Sequence, residues 1–388
     1  VEKTFEGWKA LVELPSCGAV SLRPAASSAI ASAREVSAAV QMQNASGGET
    51  AMQNASGEET AMQTTLGEAA AAQAALTEEK AVVRRTESGF VMENGLVRAV
   101  VNTCGEVTSF VRKESGREFA AGAMNRFRFY KDVPRFFDAW DIDSNYRAQE
   151  IAGAFETGTE VIGEGMEAVL LVTGRIGASS YQQRIRLQKG SGRLVFDTEV
   201  DWKELHRLLK VAFPVDVHAE NGINEMQFGY VERPTHRSKP YDKDRFEVCN
   251  HRYSALCDGA HGAALLNNCK YGVSMEENSL ELTLLRAAAA PEMRADNHVH
   301  HFTYAFTAWE GSFAECDVVR QGYELNVEPS VAFGGAKDFS FLSIDQDDIF
   351  ADTLKPAEDG SGDWILRLYE AKKAARRANL HLAFENIR

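Results

Sequence analysis

Eight consecutive residues, Phe136 to Asp143, combine three carboxylates with three aromatic rings (Phe-Phe-Asp-Ala-Trp-Asp-Ile-Asp). Retaining glycoside hydrolysis uses two carboxyl groups about 5–5.5 Å apart, one as nucleophile and one as acid. Asp141 and Asp143 lie two residues apart, so on a β-strand they would share a face at roughly that distance or slightly more. Because such spacing is common in an acidic chain, it does not establish a catalytic pair by itself. An amphipathic strand or rim loop whose acids face water is the competing interpretation.

A second stretch rich in polar side chains runs from Gln227 to Arg237 (Gln-Phe-Gly-Tyr-Val-Glu-Arg-Pro-Thr-His-Arg). Pro234 restricts the residue before it to an extended conformation, and Gly229 permits a close turn. We therefore expect a polar loop that projects into a cleft and donates hydrogen bonds to sugar hydroxyls. The alternative is a solvated loop whose exposed Arg–Glu pair contributes little to stability.

Three histidines near residue 300 are the side chains best suited to binding a metal. His298 and His300 would share one face of a strand, and His301 follows them. No HExxH motif and no partner motif with a carboxylate accompanies them, so a hydrogen-bonded strand edge is the favoured interpretation. The chain also lacks a glycine-rich dinucleotide motif, a P-loop and a serine nucleophile elbow.

The elements that must position these stretches are predicted to be β-strands. From Phe90 onward, short apolar runs alternate with turn signals such as Lys189-Gly190-Ser191-Gly192. The clearest runs are residues 167–172, 180–188, 193–202, 208–217, 262–266, 280–285 and 300–308. An immunoglobulin-like sandwich needs only about 100 residues. We therefore predict an all-β fold with a large antiparallel sandwich over 89–329, followed by a small β-sheet domain over 330–388.

The region before the sandwich has a different composition. Residues 8–23 read as two short strands around a Pro/Gly turn. Residues 24–88 are of low complexity, and a ten-residue unit at 41–50 recurs at 51–60. This segment has too few large apolar residues to offset the entropy of ordering its backbone. It is therefore predicted to be a disordered insertion.

Composition limits the partners and the compartment. The chain has 388 residues and a net charge of -14, which argues against a general nucleic-acid partner. No apolar run is long enough to span a membrane, and no signal peptide is recognisable. Six cysteines without a CxxC pair predict buried free thiols in a reducing, cytoplasmic location. Because the chain begins with Val1 rather than methionine, we expect it to be a fragment of a longer protein, with processing of the terminus as the alternative.

Several motifs resemble those of one family, in the same order. Phe137–Asp143 resembles "WDAWDID", with Phe137 where the family usually has Trp. Phe228–His236 resembles "FGxVERPTH", and Ala264–Gly272 resembles "ALLNDCKYG". Over about 90–388 the chain resembles the C-terminal β-rich portion of glycoside hydrolase family 38 α-mannosidases of the bacterial and cytosolic type. The low-complexity insertion at 24–88 is a departure from the family.

The resemblance implies a galactose-mutarotase-like supersandwich over 89–329, and makes residues 1–23 remnant strands of a small β domain. It also implies a retaining enzyme that hydrolyses terminal α-mannosides and uses zinc. In the family, the nucleophile and the zinc ligands lie in an N-terminal barrel, which nothing in residues 1–89 resembles. We therefore expect no catalytic residue and no bound metal in this chain, which alone would be inactive.

Under this hypothesis the chain supports the missing N-terminal catalytic domain and walls the sugar site. The expected rim residues are Glu232, Arg233, His236, Arg237, Asp138, Trp140, Asp141 and Asp143. The expected partners are that domain and α-mannoside glycans, without nucleic acid or membrane, and a homo-oligomer is left open. The alternative function is a free-standing carbohydrate-binding module. A mutarotase-like epimerase is a third, and it would need a His–Glu pair across a sheet.

Overall fold

The computed structural model describes residues 2–4, 7–9, 18–19, 79–152, 157–331 and 339–383. The chain divides into two compact units. One unit comprises residues 1–11, 75–331 and 344–380, and the other comprises residues 12–74, 332–343 and 381–388. The functional residues discussed below belong to the first unit. The division of the chain into residues 1–23, 24–88, 89–329 and 330–388 remains a prediction.

Strands account for most of the regular structure, and the all-β prediction is confirmed. In the sandwich region the strands are β4 (Val82–Thr86), β5 (Gly89–Glu93), β6 (Val97–Asn102), β7 (Val107–Arg112), β8 (Arg126–Lys131), β9 (Thr157–Gly163), β10 (Glu167–Ile176), β11 (Ser179–Gln188), β12 (Arg193–Asp201), β13 (Arg207–Pro214), β14 (Asn221–Met226), β15 (Gly229–Pro234), β16 (Val248–Cys249), β17 (Tyr253–Cys257), β18 (His261–Asn267), β19 (Gly272–Glu276), β20 (Ser279–Arg286) and β21 (Val299–Glu310). They follow β1 (Glu2–Thr4), β2 (Gly7–Lys9) and β3 (Gly18–Ala19).

The remaining elements are short. Five strands follow the sandwich: β22 (Phe339–Ser340), β23 (Leu342–Ile344), β24 (Ile349–Pro356), β25 (Trp364–Glu370) and β26 (Leu380–Leu382). The helices are α1 (Pro240–Lys243), α2 (Val318–Asn326) and a 3-10 helix over Ser144–Gln149. No helix in the described part of the chain is long and apolar enough to cross a bilayer.

Three antiparallel sheets build the sandwich. The largest has nine strands in the order β15-β14-β17-β18-β21-β12-β11-β10-β9. A five-stranded sheet has the order β16-β19-β20-β13-β8, and a four-stranded sheet has the order β4-β5-β6-β7. Consecutive strands of the nine-stranded sheet pair in long registers, such as Glu167 to Ile176 against Gln188 to Ser179.

Residue alternation explains why these segments form strands. In β11 and β12 every second residue is buried, as expected when side chains point alternately to the two faces of a sheet. Strand β13 is different because six consecutive residues, Leu208 to Phe213, are buried. Leu209, Val211 and Phe213 face the sandwich core, whereas Lys210 on the opposite face is covered by other polar groups. Both faces of the five-stranded sheet are therefore enclosed around β13.

Aromatic rings join the three sheets in the core. Phe306 on β21 meets Phe110 on β7 edge-on, with ring centroids 5.0 Å apart, and stacks on Phe213 of β13 at 5.6 Å. Such pairs contribute roughly 0.5–1.5 kcal/mol beyond the area that they bury. Because each ring comes from a different sheet, this cluster fixes the sheets relative to one another and gives the loops at their ends a rigid base.

Several local predictions differ from the structure. Strand β4 lies inside the segment 24–88 that was predicted to be disordered, and residues 24–78 of that segment lie outside the described residues. The strands after residue 338 form two-stranded pairs, β22 with β3, β23 with β26 and β24 with β25, rather than one small sheet. Much of the predicted strand pair at 8–23 also lies outside the described residues.

The cysteines were predicted to be free and buried. All five in the described part of the chain are free. Cys316 is buried and Cys257 is half-buried, but Cys104, Cys249 and Cys269 are exposed, so the prediction of burial is wrong for these three. Cys104 follows the end of β6 in a turn, and Cys249 ends the edge strand β16.

Candidate functional site

The stretch around Phe136–Asp143 lies in a loop of residues 132–143, here called the aromatic loop, between β8 and the 3-10 helix. Arg286, the last residue of β20, holds this loop. Its Nε donates to the Asp132 carboxylate over 2.7 Å, and its Nη2 donates to the carbonyls of Asp138 at 3.1 Å and Asp141 at 2.5 Å. Asp132 is buried, and burial raises its pKa although Arg286 opposes the shift. One guanidinium thus fixes the start and the middle of the loop.

Asp138 provides the second anchor. Its Oδ2 accepts hydrogen bonds from the Ala289 amide at 2.7 Å and the Ala290 amide at 3.0 Å. His206 Nε2 lies 3.1 Å from the same oxygen. Burial works to raise the pKa of Asp138, but the hydrogen bonds from Ala289, His206 and Ala290 outweigh it and hold the pKa below its usual value. The carboxylate therefore acts as a charged clamp between the aromatic loop and the segment after β20.

The remaining two acids of the stretch also bind backbone amides. Asp143 Oδ2 accepts from the Arg135 amide at 2.9 Å, and Asp141 Oδ1 accepts from the Ile142 amide at 2.9 Å. The stretch forms turns rather than a strand, so the shared strand face considered for Asp141 and Asp143 does not exist. These acids shape the loop, as side chains of Asp often do in turns.

The aromatic side chains of the loop point to solvent. Phe136 is 61% exposed, Phe137 is 71% exposed and Trp140 is 76% exposed. Phe137 has a φ of 54°, a left-handed conformation that costs roughly 1–2 kcal/mol for a residue with a Cβ. The amides of Trp140 and Asp141 both donate to the Phe137 carbonyl, at 2.8 and 2.9 Å. A strained and anchored backbone thus presents three apolar rings, and backbone strain of this kind is concentrated at functional sites.

Further exposed apolar side chains lie in the segments that contact this loop. Leu205 precedes His206, and Met293 lies in the segment that follows Ala289 and Ala290. Val133 is part of the aromatic loop itself. The aromatic loop and the segments bound to it thus carry several exposed apolar side chains close together in the chain.

The second candidate stretch is not a loop. Residues Gly229–Pro234 form β15, the edge strand of the nine-stranded sheet, where a terminal proline is tolerated. Arg233 Nη1 donates to the buried Asn224 side chain at 2.6 Å and to the Cys249 carbonyl at 3.2 Å. Glu232 lies 3.9 Å from the Lys373 ammonium. The prediction of a loop over 227–237 is therefore wrong for Gly229–Pro234.

His236 and Arg237 follow this strand after Thr235, and Arg237 contacts the five-stranded sheet. The Ser238 amide donates to His236 Nδ1 at 3.4 Å, and Arg237 Nη2 donates to the Met275 carbonyl at 3.3 Å. Met275 pairs with Leu280, six residues before Arg286 on β20. Six strand residues span about 20 Å. The structure therefore brings Asp138, Trp140, Asp141 and Asp143 together but leaves Arg237 near the opposite end of the five-stranded sheet.

The histidines near residue 300 share a face, as predicted. The rings of His298 and His300 stack with centroids 3.8 Å apart. His300 Nε2 lies 2.7 Å from the Asp296 carbonyl oxygen, and burial lowers the pKa of His300. His301 Nδ1 lies 3.4 Å from Glu199 Oε2. Among the residues that the structure describes, no three His, Cys, Asp or Glu side chains are arranged to hold a metal ion, so they do not fit a zinc site.

One polar cluster, which was not predicted from the sequence, holds the 3-10 helix that follows the aromatic loop. Lys210 is fully buried on the outer face of β13, where its ammonium donates to Glu247 and, at 3.0 Å, to Thr283 Oγ1. The Tyr146 hydroxyl donates to the same Glu247 carboxylate at 2.7 Å. Tyr146 belongs to the 3-10 helix that follows the loop. A lone lysine inside the apolar run 208–213 is the signal that could have revealed this cluster.

The fold and this loop define a large antiparallel β-sandwich that presents an ordered apolar surface. Its fold matches that of a solved α-mannosidase from Enterococcus faecalis V583, with a TM-score of 0.62 and 15% identity, over 75% of this chain and 38% of that one. Residues 92–294, just over half of the chain, match the family model described as "Glycosyl hydrolases family 38 C-terminal domain". The chain belongs to glycosyl hydrolase family 38, and the predicted resemblance is confirmed.

Curated relatives agree with this assignment. The chain is 37% identical over 316 residues to alpha-mannosidase 2C1 of Homo sapiens, which covers 78% of this chain and 30% of that protein. It is 33% identical over 316 residues to alpha-mannosidase G of Dictyostelium discoideum, which covers 77% of this chain and 29% of that protein. The chain thus spans about 30% of the length of the curated relatives that it matches.

Proposed function

We propose that this chain is the C-terminal β portion of an α-mannosidase and that the complete enzyme hydrolyses terminal α-mannosides. Within that enzyme the chain supports the catalytic part and walls the sugar site. The observation that carries the proposal is the aromatic loop, in which Arg286 and Asp138 hold a strained backbone so that Phe136, Phe137 and Trp140 face outward.

The exposed rings suggest what covers them. Apolar side chains left in water forgo roughly 25 cal/mol for each Å² of apolar surface that a partner would bury. The curated relatives are more than three times as long as the matched region. We therefore infer that the catalytic part of the same protein packs on the aromatic loop, and that Trp140 reaches the edge of the sugar site there.

The polar rim residues divide between two roles. The carboxylates of Asp138, Asp141 and Asp143 already accept hydrogen bonds from backbone amides, so we assign them to holding the loop. Arg237 contacts the Met275 carbonyl, and Leu280, the partner of Met275, lies six strand residues or about 20 Å from Arg286, further than one sugar ring spans. For this reason we propose that Glu232, Arg233, His236 and Arg237 lie apart from the aromatic loop. Arg233 and Arg237 are on the side of the five-stranded sheet and Glu232 is beside Lys373, where a longer glycan or the catalytic part can contact them.

The chemical step itself is assigned to the part of the enzyme outside this chain. We expect zinc in the complete enzyme and none on this chain, and a cytoplasmic location in line with the free thiols. The residues of this chain orient the catalytic part and exclude water at the rim. No acid, base or nucleophile is proposed among the rim residues.

The experiment compares the 388-residue chain with the complete enzyme in an aryl α-mannoside assay. We expect turnover by the complete enzyme, sensitive to zinc chelation, and none by the chain alone. Chelator-sensitive turnover by the 388-residue chain would contradict the assignment of catalysis to another part.

A free-standing carbohydrate-binding module is the second candidate, and the same exposed rings favour it. Aromatic faces bind sugar rings without any metal or nucleophile. Titration calorimetry of the 388-residue chain with methyl α-mannoside distinguishes the two functions. Binding lost in Trp140→Ala would support the module, and no heat at millimolar glycoside would count against it.

A further inference from the structure

A polar cleft of about 370 Å³ lies in the first compact unit, far along the chain from the aromatic loop. The polar cleft is defined by Arg320, Asp345, Asp347, Asp348, Lys372 and Arg376. Its volume lies near the lower end of the range of small-molecule sites in proteins. Unlike most such sites it has a polar lining. Glu315 and Asp317 also line it, which makes five carboxylates and three cationic side chains.

The walls of the cleft are fixed by their own contacts. Arg376 Nε donates to Asp348 Oδ2 at 2.6 Å, and Arg320 pairs with Asp347. Lys372 is buried, and its ammonium donates to the carbonyl of Ala314 at 2.8 Å and to that of Cys316. These bonds join the segment before α2 to the segments on either side of the β24–β25 hairpin. The buried side chains of Asp348 and Lys372 are therefore anchored in the wall of the cleft, whereas the pair of Arg320 and Asp347 is exposed.

One acceptor in the wall has unused bonding capacity. Asp348 is only 4% exposed, and its Oδ1 has no hydrogen-bond partner among the described residues. Leaving a buried charged oxygen unpaired costs more than leaving a neutral one unpaired. In a folded protein such an atom indicates a ligand or water that completes its hydrogen bonds.

The chemistry of the lining selects the class of ligand. The excess of carboxylates over cations disfavours an anion, and no described triad of His, Cys, Asp or Glu suits a metal. The scarcity of apolar groups in the lining disfavours an apolar molecule. Carboxylates and guanidinium groups occur side by side, so a good ligand must donate and accept hydrogen bonds in several directions. Hydroxyl groups on a ring have this property because each one is both donor and acceptor.

We propose that the polar cleft binds a polyhydroxylated ligand of about the size of one sugar ring. Asp348 accepts from a ligand hydroxyl, and the guanidinium groups of Arg320 and Arg376 donate to others. This binding requires no catalytic step and does not depend on the α-mannosidase activity proposed above.

The test uses ligand-observed saturation-transfer NMR on the full 388-residue chain with methyl α-mannoside as the probe. We expect saturable binding in the millimolar range that weakens about tenfold in Arg320→Ala and in Asp348→Asn. Asp348 is buried, so Asp348→Asn can fail to fold. In that case Arg320→Ala alone tests the proposal, because Arg320 is half-exposed. Asp363→Asn, in the exposed turn between β24 and β25, is the matched control and should bind as the parent does.

Three outcomes would overturn the proposal. The first is no saturable signal, and the second is a signal that Trp140→Ala abolishes while both cleft variants retain it. The third comes from parallel titrations with spermidine and with inorganic phosphate. Binding of either one with the same dependence on Arg320 and Asp348, without binding of the glycoside, would assign the cleft to a cation or an anion instead.

Discussion

Arg286 and Asp132 form an ion pair, 2.7 Å between Nε and Oδ2, at the base of the aromatic loop. Both side chains are largely shielded from water, and the same guanidinium also binds the carbonyls of Asp138 and Asp141. The pair therefore links the end of β20 to a loop about 150 positions earlier in the chain. Its main effect is on the geometry of the loop, because every exposed ring of the loop depends on the backbone that it holds.

Arg286→Met should strongly destabilise the chain. It leaves the buried Asp132 without its cation, and breaking a buried pair on one side costs about 3–5 kcal/mol. Urea denaturation of the 388-residue chain measures the change in the free energy of unfolding. Arg84→Met is the control, because Arg84 is 68% exposed in its pair with Glu93 and should contribute less than about 1 kcal/mol. Equal effects of the two substitutions would contradict the importance of the Asp132 pair.

The clamp formed by Asp138 predicts a dependence of stability on pH. The pKa of Asp138 is lower in the folded chain than in the unfolded chain, so its charged form stabilises the fold. That contribution is complete above the unfolded pKa of about 3.9 and is lost as the pH falls through the folded pKa. Asp138→Asn should therefore be less stable than the parent by roughly 1 kcal/mol at pH 6, with the difference shrinking below pH 4.

Chemical denaturation at several pH values between 3 and 6 measures this difference. Asp363→Asn serves as the control because its side chain lies in an exposed turn. A difference between Asp138→Asn and the parent that stayed constant over this range would show that the charge of Asp138 is not what holds the loop.

The strained backbone of Phe137 predicts that stability and function change in opposite directions. Glycine adopts a φ of 54° without a steric penalty, so Phe137→Gly should gain up to about 1 kcal/mol in the free energy of unfolding. The same substitution removes an exposed ring and, under the proposed function, should weaken packing against the catalytic part of the complete enzyme. Phe136→Gly, without a positive φ to relieve, should lower stability. Thermal unfolding that ranked Phe137→Gly below Phe136→Gly would refute the strain argument.

The large strands could be predicted from the sequence, but the aromatic loop could not. Strand β11 was expected over 180–188 and runs over Ser179–Gln188, because alternation of apolar residues is a local property. The loop depends on Arg286, Ala289 and His206, which approach it only in the folded chain. The local sequence pattern therefore drew attention to the residues of the aromatic loop, but it could not predict the distant groups that fix the backbone of the loop.

The edge strand β15 shows a different kind of error. The proline and glycine of Gln227–Arg237 were interpreted as loop signals, although Pro234 lies at the end of a strand whose outer edge lacks a neighbour in the described sheet. Proline is compatible with that position because no ladder hydrogen bond is lost there. Edge and central strands differ in their tertiary neighbours, which the local sequence does not reveal.

Trp140→Ala tests the proposed role of the aromatic loop in the complete enzyme. We expect a loss of roughly tenfold in kcat/KM for an aryl α-mannoside, because an exposed aromatic anchor at an interface or a sugar rim contributes on this scale. Trp364→Ala is the matched control, since Trp364 on β25 is also 60% exposed but lies outside the loop. Equal kcat/KM values for the two variants would argue against the loop as part of the working enzyme.

The buried Lys210 leads to the last prediction, which concerns the base of the 3-10 helix. Lys210→Met leaves Glu247 and its partners Tyr146 and Thr283 without a cation, and should cost about 3–5 kcal/mol in the free energy of unfolding. The double variant Lys210→Met with Glu247→Leu removes both charges and should recover a large part of that loss. A double-mutant cycle by urea denaturation measures the coupling. Strictly additive losses would mean that the two charges do not interact, and that the support of the helix comes from apolar packing around Tyr146 alone.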